Sequence, residues 1–173
     1  MNTLKVKLDF NPTNPREDCE HSSVIIYSST RYLLGDKRVE QGTEVSTVDN
    51  IVLPVYAYIH SGTALSTTPF SCPWDSGQCG FIYEDKEAIR KEFGVKRISP
   101  KLCKRIENRM KSEIELFDQY INGEVYGFVI EDDEGEVVDS CWGFYGTDFD
   151  TNGMKDYLPE DLHEQLKNIE VEY

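Results

Sequence analysis

Six apolar residues, Leu102, Ile106, Met110, Ile114, Phe117 and Ile121, recur at spacings of three and four, which puts them on one stripe of a helix about six turns long. Both ends of that helix are written into the chain. Ser99 is a suitable N-cap and Pro100 takes the first helical position, where its missing N–H is no loss. Gly123 stops it. Lys101, Lys104, Arg105, Arg109 and Lys111 lie mostly off the stripe, so the apolar face belongs to a core and the basic one to the surface.

Strand patterns dominate elsewhere. Leu4, Val6, Leu8 and Phe10 alternate with Lys5, Lys7 and Asp9, the period of a half-buried strand, which ends at Asn11-Pro12. Residues 11–22 read as a loop, Val24 to Tyr27 as a short apolar strand, and 35–50 as polar and irregular. Ile51 to His60 favours a strand, with Pro54 implying an edge or a bulge. The Ser, Thr, Pro and Gly rich stretch Ser61 to Gly80 reads as a single loop of about twenty residues pinned by Pro73 and Trp74, a length that is often functional. Phe81 to Tyr83 is a short strand. Asp85 then N-caps a helix through Phe93 that Gly94 ends. Val125 to Ile130 and Glu136 to Phe144 flank an acidic turn and predict a β-hairpin. Leu158 to Asn168 reads as a short helix starting near Pro159. These elements predict one α+β domain spanning 1–173, a mainly antiparallel sheet with two to three helices.

Charge is sorted along the chain. Residues 1–85 carry 6 bases and 11 acids, residues 86–112 carry 10 and 3, and residues 113–173 carry 2 and 18. A hydrophobic content of 39% with 12% aromatic excludes a disordered acidic tail as the source of this charge, so the acidity is a property of a folded surface. No apolar run has the length of a signal peptide or membrane span, which predicts a cytoplasmic protein. Five cysteines at irregular spacing fit reduced thiols better than a disulfide framework.

Several groupings invite chemistry. His60, Cys72, Asp75 and Asp139, with Trp74 and Trp142, hold the residue types of a nucleophile, its base and its orienter, or the lining of a small-ligand pocket under the 61–80 loop. No local cysteine-protease signature accompanies them, and no residue is assigned a catalytic role. Cys72 and Cys79 are too far apart for the close ligand pairs of a structural zinc site. Asp148-Phe149-Asp150-Thr151-Asn152-Gly153 reproduces half of a calcium loop, but Pro159 stands where the closing glutamate belongs. The sequence therefore calls for no metal or cofactor. Lys101, Lys104, Arg105 and Arg109 offer phosphate contacts, opposed by the acidic segment that follows, and internal pairing is the simpler role.

The strings Pro69-Phe70-Ser71-Cys72-Pro73-Trp74-Asp75-Ser76-Gly77 and Asp139-Ser140-Cys141-Trp142-Gly143-Phe144-Tyr145-Gly146, with Leu53-Pro54-Val55-Tyr56 and His60-Ser61-Gly62, resemble a family of small acidic proteins encoded by bacteriophages, plasmids and other mobile elements. The resemblance runs from Leu4 to Gly146. The chain departs from the family pattern over Asp18 to Ser29 and at Cys79, where an aliphatic residue is usual. What the resemblance implies is a genetic setting, the cytoplasm of a bacterial host, rather than a chemistry. Combined with the acidity, that setting leads us to expect an anti-defence inhibitor, of the anti-CRISPR or anti-restriction kind, whose carboxylates occupy the basic nucleic-acid groove of a host nuclease. The expected contacts are Glu131, Asp132, Asp133, Glu134, Glu136, Asp148 and Asp150, with Asp156, Glu160, Asp161 and Glu164 beyond them. The alternative is an enzyme or ligand-binding protein built on the 61–80 loop.

Overall fold

The computed structural model describes residues 2–18, 21–167 and 169–172. Cys19, one of the thiols read as reduced, and Asn168, the far end of the expected tail helix, lie outside them. In chain order the elements are β1 (Thr3–Leu8), α1 (Pro15–Asp18), β2 (Val24–Tyr27), β3 (Lys37–Arg38), β4 (Asn50–Ile59), β5 (Thr63–Ser66), β6 (Ser76–Asp85), α2 (Lys86–Phe93), α3 (Pro100–Ile121), β7 (Val125–Glu131), β8 (Val137–Tyr145), α4 (His163–Leu166) and β9 (Val171–Glu172), with 3-10 turns at Met154–Tyr157 and Glu160–Leu162. The class is α+β, in two mostly antiparallel sheets. The chain divides into two compact units, Met1–Asn14 with Gln119–Tyr173, and Pro15–Asp118.

The first unit holds the sheet β8-β7-β1-β9. β1 runs antiparallel to β7, from Thr3 opposite Glu131 to Leu8 opposite Tyr126. The alternation of β1 puts Leu4 and Val6 on the same face as Tyr126, Phe128, Ile130 and Phe144, where Met154, Leu158, Leu162 and Leu166 from the C-terminal turns complete a core. The tail is not the single helix expected from Leu158. Pro159 is extended (φ −55°, ψ 143°), and a 3-10 turn then leads into the short α4. Leu162 and Leu166 face the core from these two short pieces.

The second unit holds the sheet β3-β2-β6-β4-β5. Here the expected long loop is replaced by structure. A turn at His60, whose N–H donates to Gly62 O at 3.2 Å, joins β4 to β5, and β6 begins at Ser76, leaving only residues 67–75 irregular. Leu65, 5% exposed, seats β5 in the core; main-chain pairing accepts the flanking Ser, Thr and Gly, whose types suggested a loop. Pro54 sits in the half of β4 that has β6 on one side only, one residue before a register shift at Val55/Tyr56, so it blocks no ladder bond. The helix boundaries follow their caps: Asp85 accepts the Ala88 N–H at 2.7 Å, Gly94 closes α2 with φ 62°, and Ser99 Oγ accepts the Leu102 N–H at 3.2 Å.

On α3, Ile106, Met110, Ile114 and Phe117 are buried as expected. The same helix carries three polar anchors. Glu113 accepts from Arg16 Nη1 at 2.6 Å and from the Ser23 hydroxyl. Arg109 pairs with Glu84 of β6, a carboxylate with no exposed surface, and with Glu92 of α2 at 2.7 Å. Asp118 accepts the Leu65 N–H of β5 at 2.6 Å. Arg16 is only 4% exposed and also grips Asp36 at 2.6 and 2.8 Å, while Asp36 accepts the Ile25 N–H. Burial opposes its charge, but the hydrogen bonds to Asp36 and Glu113 outweigh that and hold its pKa above the ordinary arginine value.

Removing Arg16 would leave Asp36 and Glu113 partly buried without their cation. Arg16→Met is expected to lower the unfolding free energy by about 3–5 kcal/mol, measured by urea denaturation. A loss under about 1 kcal/mol would mean that water already solvates both carboxylates.

Candidate functional site

Charge separates with the two units. Residues 1–14 with 119–173 hold four basic and sixteen acidic residues, a net of −12, whereas residues 15–118 hold fourteen and sixteen, a net of −2. The most concentrated acid lies at the β7–β8 turn. Its geometry is set by one side chain: Asp132 Oδ1 accepts the N–H groups of Glu134 and Glu136, both at 2.9 Å, while the Asp132 N–H donates to Glu136 O at 3.0 Å. Glu131 pairs with Lys5 at 2.7 Å and is 18% exposed. Of the expected contact residues, Glu131 and Asp132 thus hold the hairpin together. Asp133, Glu134 and Glu136 stand exposed.

Asp148 and Asp150 are exposed in the turn that leads to the C-terminal core. Asp148 O accepts the N–H groups of Thr151 and Asn152 at 3.1 and 2.9 Å, and Asp150 pairs with Lys155 at 3.0 Å. The half calcium pattern therefore closes on itself as an Asx-rich turn. No grouping of three or more metal-ligating side chains occurs among the described residues.

β8 pairs with β7 alone among the described residues and forms one edge of its sheet. Two register shifts interrupt it, with Val138 and Gly143 as the extra residues, and Gly143 adopts φ +89°. Between them, Asp139 to Trp142 run opposite Ile130 to Gly127 in regular register. Trp142 lies over Gly127, where an added Cβ would come within 2.2 Å of the indole ring. Val137, Val138 and Trp142 are 61%, 55% and 46% exposed. Apolar side chains thus stand exposed on an acidic edge strand, and of these only Trp142 is among the site residues named from the sequence. The signal for them in the sequence is the adjacent apolar pair Val137-Val138 beside an acidic turn.

The loop of the second unit brings three of its candidates together. Asp75 Oδ2 is 3.8 Å from Cys72 Sγ and 3.4 Å from His60 Nδ1. His60 makes no hydrogen bond to the thiol among the described residues. A nucleophilic cysteine needs its base on the thiol, and here a carboxylate occupies that place. Asp139 and Trp142 belong to the other unit. Trp74 overturns the expectation of a loop pinned by a packed indole, since it is 91% exposed. The loop is held instead by one main-chain bond, Ile59 N–H to Asp75 O at 2.8 Å, and one side-chain bond, the Ser76 hydroxyl to Cys72 O.

On α3, Arg109 is taken by Glu84 and Glu92, and Lys104 lies 3.5 Å from Glu107. Lys101, Lys104 and Arg105 line an open groove with Ser99, Leu102 and Asn108, and the Arg105 guanidinium also sits 5.1 Å from the centre of the Phe93 ring.

Comparison with protein-family models, with curated proteins and with solved structures finds no match to this chain. No helix among the described residues is long and apolar enough to cross a membrane.

Two measurements follow from the loop. Trp74→Ala is expected to change the unfolding free energy by less than about 0.5 kcal/mol; a loss of several kcal/mol in denaturant titration would show the indole to be packed. Cys79 is largely enclosed, and burial pushes its thiol up to about 11. Iodoacetamide at pH 8 should therefore alkylate Cys72 and Cys141 well before Cys79, as read by peptide mass spectrometry.

Proposed function

We propose that this protein is an inhibitor that binds a host nucleic-acid-targeting nuclease, Cas9-type or restriction enzyme, in the bacterial cytoplasm. The acidic unit enters the basic groove that otherwise holds DNA or a guide duplex. The observation that carries this reading is the confinement of a net charge of −12 to residues 1–14 and 119–173. A compact anionic surface can satisfy the lysines and arginines of a nucleic-acid channel and speed the encounter. The resemblance to proteins of mobile elements supports the setting, because such elements meet host nucleases on entry.

The fold decides how the charge acts. A carboxylate row supported by a sheet keeps its spacing, so binding does not have to order a flexible acidic chain. Glu131 and Asp132 maintain the hairpin, and the exposed Asp133, Glu134 and Glu136 make the contact. Among the basic residues, Lys101, Lys104 and Arg105 are not needed for this mode.

Reversing Asp133, Glu134 and Glu136 to lysine is expected to abolish inhibition of nuclease cleavage without unfolding the protein, because the turn made by Asp132 remains. Raising salt from low to several hundred millimolar should weaken the wild-type complex. Reversing Lys101, Lys104 and Arg105 should have little effect. The opposite ranking in a cleavage assay would assign the contact to α3 and end the acidic-groove reading.

A further inference from the structure

The edge of β8 carries more information than its charge. The Gly146 N–H donates to Glu124 O at 2.8 Å, which makes that opposed pair a hydrogen-bonded one. Bonded pairs alternate along an antiparallel ladder. Phe144, Cys141 and Asp139, opposite Tyr126, Phe128 and Ile130, therefore turn their main-chain groups toward β7. Ser140 and Trp142 turn theirs outward. The Ser140 N–H confirms this independently, since it donates to Asp139 Oδ1 at 2.8 Å. An outward N–H on an edge strand is thus covered by the carboxylate of its own neighbour.

We infer that the β8 edge over Asp139–Trp142 is a docking site for a short extended segment of a partner protein that carries lysine or arginine. The outward main chain of Ser140 and Trp142, where the Trp142 carbonyl meets the Cys141 thiol at a distant 4.0 Å, supplies the ladder bonds of strand addition. The exposed Val138 and Trp142 supply apolar contact. The sign of the partner's charge comes from the carboxylates along the strand, Glu136 and Asp139, with Asp133 and Glu134 at its end. A basic side chain that draws the Asp139 carboxylate to itself releases the Ser140 N–H for the incoming carbonyl. A second copy of this chain brings the same carboxylates and is repelled, so the arrangement that admits a basic strand excludes self-pairing, the usual hazard of an edge. The two register shifts limit the docked segment to the four residues between them.

This inference rests on the acidic-surface reading only for the sign of the partner's charge, and the two are tested by different readouts. The probe is a capped peptide of alternating lysine and valine, with its glutamate counterpart as control, added to the full chain and followed by backbone amide NMR. Binding is expected to move the Ser140 and Trp142 amides and to slow their hydrogen exchange, with the glutamate peptide at least about tenfold weaker. Ser140→Pro removes the outward N–H at a position where proline is tolerated on an edge, and it should weaken the lysine peptide by up to about tenfold. If Ser140→Pro does not fold, the exchange rates of the wild-type amides decide alone. Unchanged exchange at Ser140 and Trp142, or equal affinity for Ser140→Pro, would overturn strand addition. Nuclease inhibition by the variants of Asp133, Glu134 and Glu136 is read separately, so the acidic surface can stand while the docked strand falls.

Discussion

A guanidinium that is almost wholly out of water has to be paired, and the pairing of Arg16 organises the second unit. Its two carboxylates come from distant parts of the chain, Asp36 in the irregular segment after β2 and Glu113 in the middle of α3. Each has a further duty, Asp36 on the Ile25 N–H and Glu113 on the Ser23 hydroxyl. Apolar burial of Ile106, Met110, Ile114 and Phe117 holds α3 to a core, but such contact is indifferent to small rotations and slides. The three polar anchors at Arg109, Glu113 and Asp118 are not, because a hydrogen bond fails within a few tenths of an ångström and a few tens of degrees. Buried pairing of this kind adds little net stability over an apolar substitute. Its effect here is to fix helix register against β2, β5 and β6.

The same physics runs in the opposite direction in the first unit. There, among the described residues, no charged side chain is buried in the core of Leu4, Val6, Phe128, Phe144 and their neighbours. Repulsion among sixteen acids is limited by spreading them over a surface where salt screens beyond about 8 Å. Pairs of Lys5 with Glu131, Lys7 with Glu172, Lys155 with Asp150 and Lys167 with Glu164 reduce it further. Lys5 and Lys167 donate hydrogen bonds to Glu131 and Glu164, which raises both lysine pKa values, and Lys167 holds Glu164 below its ordinary value.

What could be read before folding was local. Asp85, Gly94, Ser99 and Pro100 mark helix ends by chemistry that acts within one turn, and the β7–β8 hairpin follows from alternation around a Gly-containing turn. The 61–80 stretch misled because residue type indicates a loop only where no ladder is available, and β4 and β6 supply one. Trp74 misled for the reverse reason: an aromatic among prolines suggests packing, yet nothing in the sequence states that its neighbours cover it. The partners of Arg16 and Glu84 were not legible at all, since they depend on contacts 20 to 97 residues apart in the chain. Of the β7–β8 turn, the concentration of acid was legible, but not its division into Glu131 and Asp132, which build the hairpin, and Asp133, Glu134 and Glu136, which stand exposed.

The string from Asp139 to Gly146 acquires a physical meaning on this frame. Asp139 covers the Ser140 N–H, Trp142 needs the bare Gly127 beneath it, and Gly143 takes a positive φ at the second register shift. That shift lets Phe144 share a core face with Cys141 although they are three residues apart, where strict alternation would separate them. The Tyr145 hydroxyl then ties the strand end to Thr13 O at 2.6 Å, and Gly146 rejoins the ladder at Glu124. These contacts keep an edge strand folded while the main chain of Ser140 and Trp142 faces outward. Bulges are common on edge strands, where they limit pairing with other chains, and here they leave Asp139–Trp142 as the stretch in regular register. It is what the docking of a partner strand, as we infer it, requires of β8.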